Sequence, residues 1–135
     1  MKESLKEALR WWRQAENDLG YAKVGLKEGY YAQVCFQAHQ VAEKAIKSIL
    51  YGHYNRRFVL GHSLVKLAGE VDIGLNEETS EGLHILDQYY IPTRYPNGLP
   101  EAAPFEVYTK KQAKEAVQTA ETLLLLAKKF LPHDP

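Results

Sequence analysis

The residues best suited to chemistry are a histidine, three arginines, two lysines and a group of tyrosines, lying between residues 44 and 95. His62 stands beside Ser63 at the start of a short predicted helix. Free amides and the helix dipole favour anions at such an end, so His62 can bind phosphate there or simply cap the helix. Arg94 lies between Thr93 and Tyr95 in a proline-rich stretch. Its guanidinium can clamp a phosphate, or tie that stretch to Asp87. Tyr89, Tyr90 and Tyr95 offer faces for a nucleobase, although tyrosines at helical spacing also pack half-buried with a bonded hydroxyl. Lys44, Lys47, Arg56 and Arg57 form a cationic group toward the end of the second helix. Exposed together they attract phosphates; otherwise they are a solvated face. His39, Gln40 and Glu43 are polar residues in the same helix, and belong either to a site or to a set that satisfies itself. Cys35 sits among apolar residues and reads as packing rather than as a nucleophile. No glycine-rich phosphate loop, no GxSxG and no histidine pair at metal spacing is present, so neither a metal nor a cofactor is expected.

These side chains must be positioned by helices. From Leu5 the apolar residues run Leu5, Ala8, Leu9, Trp12, Ala15, Leu19, Ala22 and Leu26, in the steps of three and four that mark one helix face. Ser4 and Glu7 have capping-box spacing, and Gly29 is placed to end the helix. A second helix from about Tyr30 to Tyr51 has two adjoining apolar faces, Val34, Ala38, Val41, Ala45 and Ile49 beside Cys35, Ala42, Ile46 and Leu50. That width predicts a central helix with neighbours on two sides. A polar ridge of Gln33, Gln37, Gln40, Lys44 and Lys47 runs along it, and Glu43 lies one turn from both His39 and Lys47. Short helices are predicted at about Ser63–Glu70 and from an Asn76 cap to near Tyr90, where Pro92 disfavours continuation. The last helix starts at Thr109, in capping-box register with Gln112. Adjacent Trp11 and Trp12 cannot share one core, so Trp11 is a candidate dimer contact.

Between Ile91 and Thr109 lie four of the six prolines, Pro92, Pro96, Pro100 and Pro104. A connection longer than roughly 12–15 residues is uncommon in a compact domain and is often functional. Its proline spacing predicts a stiff, extended loop. The fold class is therefore all-α, an antiparallel bundle of four to five helices with a long proline-rich loop before the last helix.

Composition narrows the function classes. The chain has 135 residues, 45% hydrophobic and 25% charged, which suits one folded domain over 1–135. Seventeen Lys and Arg balance seventeen Asp and Glu, against the excess positive charge of a general nucleic-acid coat. A lone cysteine excludes an internal disulfide. No apolar run approaches the ~20 residues a bilayer needs, and the charged start has no signal-peptide core, so the expected place is the cytoplasm with no membrane partner.

Several of these residues, taken in order, resemble the HEPN family (higher eukaryote and prokaryote nucleotide-binding domain). The pieces are Trp12 with Ala15, Asn17, Asp18 and Leu19; QAHQVAEKAIK at Gln37–Lys47; GHSLVKLA at Gly61–Ala68; and LDQYYIPTRYP at Leu86–Pro96. The resemblance covers nearly the whole chain. It implies a helical bundle paired as a homodimer, and a small stand-alone type that partners a separately encoded minimal nucleotidyltransferase. Such a module would supply a nucleotide-binding surface or one half of a toxin–antitoxin pair. Lys44, Arg57, His62 and Arg94 would then contact phosphate, with Tyr95 near base or sugar.

Other HEPN members are metal-independent RNases using Arg-x(4–6)-His, in which a histidine moves protons and an arginine stabilises phosphate charge. Arg57 and His62 have that spacing, but they precede the third helix, whereas the family motif lies later. The residue in the later neighbourhood is Arg94, and no histidine follows within six residues. The alternative function is thus an endoribonuclease acting on RNA, with His62 and either Arg57 or Arg94 as its catalytic residues.

Overall fold

The structure is a computed structural model that describes residues 2–132. Its α-helices are α1 (Glu3–Glu28), α2 (Tyr31–Gly52), α3 (Leu64–Ala68), α4 (Glu77–Asp87), α5 (Pro104–Val107) and α6 (Lys110–Lys128). No strand occurs among the described residues.

Helices α1 and α2 form an antiparallel hairpin. Gly29 adopts φ +87°, which a glycine reaches without steric cost, and the Tyr30 amide donates back to the Gly25 carbonyl at 2.9 Å. The two helices touch at both ends of the hairpin. A Cβ on Gly25 would stand 2.9 Å from Val34, and one on Gly52 would stand 2.7 Å from Ala8. Helix α6 completes the core, where the Trp12 indole N–H donates to the Leu124 carbonyl at 2.9 Å. The predicted stripe of α1 is buried at Ala8, Trp12, Ala15, Leu19 and Ala22. Helix α2 is the central element: α1 and α6 pack on it most extensively and on each other, and α3, α4 and α5 also touch it. Most of its residues are buried, as its double apolar face requires.

Local signals fared unevenly. Asn76 caps α4 by accepting from the Thr79 amide at 2.7 Å. Thr109 and Gln112 close their capping box, with bonds of 3.2 and 2.9 Å. The box predicted at Ser4 and Glu7 does not form. Helix α1 begins at Glu3 after Lys2, and Glu7 instead binds Arg10 and the Trp11 indole. Helix α4 stops at Asp87, and a run of turns carries the chain to Arg94. The segment before α6 is also not the stiff extended loop expected. It contains a 3-10 turn at Pro96–Gly98 and the short α5, in both of which proline starts a helical turn. No helix among the described residues is long and apolar enough to cross a membrane.

Candidate functional site

The corner where α2 meets the start of α3 and the end of α4 holds an extended polar network. On α2, His39, Glu43 and Lys47 are spaced by four, so they share one face. All three are buried. Opposite them, Gly61 at φ +100° turns the incoming loop, and His62 and Ser63 lead into α3.

His62 is held at two points. Its Nδ1 lies 2.9 Å from Glu43 Oε1, and its carbonyl accepts from His39 Nε2 at 2.9 Å. A carboxylate only accepts, so Nδ1 carries the proton and Nε2 bears the free lone pair of the neutral ring. Nε2 has no partner among the described residues, and half of the side chain is open to solvent. The second oxygen of Glu43 accepts from Lys47 Nζ at 3.1 Å. Lys47 in turn lies over the Trp11 ring, and Trp11 stacks on Tyr51.

Asp87 organises the start of α3. Its carboxylate accepts from the amides of Leu64 at 2.7 Å and Val65 at 3.1 Å, and from the Ser63 hydroxyl at 3.2 Å. The Ser63 hydroxyl itself caps the Lys66 amide. His39 Nε2 also donates toward Asp87 at 3.3 Å. Both partners of Nε2 are acceptors, which leaves His39 Nδ1 buried as an unprotonated acceptor without a partner among the described residues. Burial holds the His39 pKa below its ordinary 6.5, against the opposing pull of Glu43 and Asp87.

The outer edge of this corner is aromatic. The His62 ring stacks on Tyr90, with centroids 4.8 Å apart and planes 18° apart. The Arg94 guanidinium lies 4.8 Å from the same Tyr90 ring, 4.4 Å from Phe36 and 5.3 Å from Tyr95. Its Nε–H donates to the Tyr90 carbonyl at 2.9 Å. It pairs with no carboxylate among the described residues, so its charge is not neutralised locally. His62 and Arg94 thus both contact the Tyr90 ring, each 4.8 Å from its centre.

The sequence-predicted residues therefore separate. His62, Arg94 and Tyr95 come together around Tyr90. Lys44 does not join them: it pairs with Asp18 of α1, in a groove shared with Arg10 and Trp11. Arg57 lines a different groove, beside Lys2, Arg56 and Phe58 at the N-terminal end of α1. Nor do the four cations near the end of α2 form one group, because Lys47 is buried on Glu43 and Arg56 pairs with Glu70 at 2.9 Å. Asp87 ties down α3 rather than Arg94. Tyr89 is core, packed edge-on to Tyr108, and burial pushes its hydroxyl up to about 12. Cys35 is buried, and desolvation raises its thiol to about 12. Trp11 finds its partners within the chain. Phe36 gives no signal in the sequence, because an aromatic on a helix looks like core. His39 and Glu43 do not bond each other; each holds His62. Among the described residues, no three His, Cys, Asp or Glu side chains gather in a way that could hold a metal ion.

The model of the HEPN domain family matches residues 8–130. The chain belongs to the HEPN domain family. A protein of Methanocaldococcus jannaschii named "Putative toxin MJ1304" is 31% identical over 139 residues, covering 95% of this chain and 90% of the relative. Among solved structures, TT1696 from Thermus thermophilus superposes with a TM-score of 0.84 at 35% identity, over 93% of this chain and 98% of its own. ST0689, described as an archaeal HEPN homologue, gives 0.76 at 33% identity, over 96% and 98%. In this HEPN chain three of the sequence pieces that carry the resemblance meet in space. The Gln37–Lys47 piece supplies Glu43, the Gly61–Ala68 piece supplies His62, and the Leu86–Pro96 piece supplies Tyr90 and Arg94.

Proposed function

We propose that this HEPN chain is a nucleotide- or anion-binding helical module that acts as a homodimer and as the partner of a minimal nucleotidyltransferase, in a toxin–antitoxin setting. The observation that carries the reading is the grouping of a half-open His62, an Arg94 without a carboxylate partner, and the rings of Tyr90 and Tyr95. A cation and an imidazole suit phosphate oxygens, and tyrosine faces suit a base or sugar. The toxin setting rests on the name of the M. jannaschii relative, and the nucleotidyltransferase partner on the family resemblance.

The test is calorimetry with ATP, GTP and AMP at millimolar concentration, with and without a minimal nucleotidyltransferase. The wild type binds at least one of them, and Arg94→Ala weakens that binding by about tenfold, the loss of one charge-assisted contact. Absence of heat with every nucleotide under both conditions overturns the reading.

One observation favours a second reading, the metal-independent RNase. The Glu43–His62 pair leaves Nε2 free to take a proton from a 2′-hydroxyl, and Arg94, on the same Tyr90 ring, would stabilise charge on the phosphate. Mixed RNA incubated with EDTA decides it. Cleavage by the wild type that disappears in both His62→Ala and Arg94→Ala makes this chain a nuclease, whereas cleavage retained by His62→Ala removes His62 from any such role.

A further inference from the structure

We propose that Glu43 is the positioning residue of this site. With Lys47 on its second oxygen, it fixes His62 as the Nδ1–H tautomer and presents Nε2 to a phosphate-type ligand. The inference deepens the reading of His62 and Arg94 as an anion site, and rests on it.

A buried ion pair is unexpected in a helix that could have been apolar throughout. Elsewhere α2 fills its buried positions with Ala38, Val41, Ala42, Ala45, Ile46 and Ile49. A buried pair contributes little net stability, because the desolvation of both ions offsets their attraction. The pair is therefore poorly explained by folding alone. Its geometry explains it better. One carboxylate oxygen is taken by Lys47 at 3.1 Å and the other by His62 Nδ1 at 2.9 Å, so both oxygens of Glu43 are satisfied and pointed by known partners. Lys47 acts as the anchor: it is buried between Glu43 and the Trp11 ring and does not face the ligand side.

The remaining contacts of His62 agree. His39, one turn before Glu43 on α2, holds the His62 carbonyl, and Tyr90 stacks against the ring at 18°. Backbone, ring plane and ring tautomer are each set by a different group. A side chain that only tacked a loop to the bundle would need one of these contacts. Its preceding neighbours Leu60 and Gly61 are exposed, whereas His62 is held by three groups at its carbonyl, Nδ1 and ring face. The charged or titratable groups around the ring are Glu43, Lys47 and His39 from α2, Asp87 from α4, and Tyr90 and Arg94 from the turns that follow.

The experiment uses the full chain, with the double variant Glu43→Gln/Lys47→Met, which removes the anion and its buried counter-ion together and so leaves no unpaired buried charge. Two quantities are read: the ring ¹⁵N–¹H correlations of His62 without ligand, and the affinity for inorganic pyrophosphate. The wild type is expected to show Nδ1 protonated and Nε2 free. The double variant is expected to lose that preference, because a glutamine amide can donate to Nδ1, and to bind pyrophosphate about tenfold more weakly. A wild-type ring protonated on Nε2 overturns the proposal. So does a folded double variant that keeps both tautomer and affinity, or one that loses affinity while keeping the tautomer. A single variant, Glu43→Asp, guards against misfolding, since it retains the carboxylate and is expected to recover part of the tautomer preference of the wild type. Wild-type protein with the expected tautomer but no affinity for pyrophosphate would overturn the anion-site reading, and the tautomer change in the variant would still support the positioning of His62.

Discussion

The two flanks of α2 solve different physical problems. Toward α1 and α6 the contacts are made by small apolar side chains such as Ala15, Ala45 and Ala120, with glycine where the backbones come closest. Stability there comes from area removed from water and from close packing. Toward α3 and α4 the same helix shows His39 and Glu43, whose hydrogen bonds go to the His62 turn and to Asp87 at the end of α4, while Lys47 anchors Glu43 from the Trp11 side. Each bond there adds little net stability but is costly to leave unmade, because the groups are already desolvated. One flank sets how firmly the protein folds, and the other sets which way a few polar atoms point.

That contrast is sharpened first by Leu123→Ala, on the α6 side. Leu123 is fully buried, and its loss should cost about 3 kcal/mol by the combined transfer and cavity terms. Urea denaturation measures it, and the chemical shifts of His62 should stay as they are. A cost below about 1 kcal/mol would mean that the core can collapse around the gap, and that the two flanks are less distinct than described.

Asp87→Ala attacks the other flank. It removes the acceptor for two amides and a hydroxyl at the start of α3, and should cost about 2 kcal/mol. Here the His62 and Tyr90 signals should move while those of α1 and α6 do not. Unchanged His62 signals would break the picture of α3 and His62 as one ordered unit.

The smallest effect is a slope with pH. Burial lowers the His39 pKa below 6.5, so the unfolded chain binds more protons than the folded one between the folded value and 6.5. Stability due to this group is fully present above pH 6.5, and is lost as pH falls toward the folded pKa. Denaturant titrations at about pH 7.5 and about pH 5.5, above and below the ordinary value of 6.5, should show the wild type weakening more than His39→Gln on acidification. Equal weakening in the two would assign the acid sensitivity to other groups.

Much of the fold was legible because helix signals are local. The stripe of α1, the cap at Asn76 and the box at Thr109 each involve residues three or four apart, and local geometry settles them. The Ser4–Glu7 box failed for an equally local reason, since the Glu7 carboxylate is engaged by Arg10 and Trp11. Lys47 reads as part of a polar ridge, and sequence spacing holds no sign that Trp11 and the His62 loop cover that turn of α2. Lys44 and Arg57 look equivalent to His62 and Arg94 as phosphate ligands. Their separation depends on which side of the bundle each helix turn faces, which a formal charge does not encode.

By itself, the sequence determined an all-α bundle with a central second helix, the caps that start α4 and α6, and the types of side chain available for an anion. Its motifs also carried the family. Only packing decided that His62, Tyr90 and Arg94 meet. Glu43 and His62 are 19 residues apart, and the loop that joins them is largely exposed, pinned where Val59 is buried and its amide donates to the Tyr51 hydroxyl. Closing that loop costs entropy that contacts between sequence neighbours do not offset alone. The rest comes from Val59 in the core, from the buried donor His39 and acceptor Glu43 on α2, and from Asp87 at the end of α4, groups brought into reach only once the helices have packed.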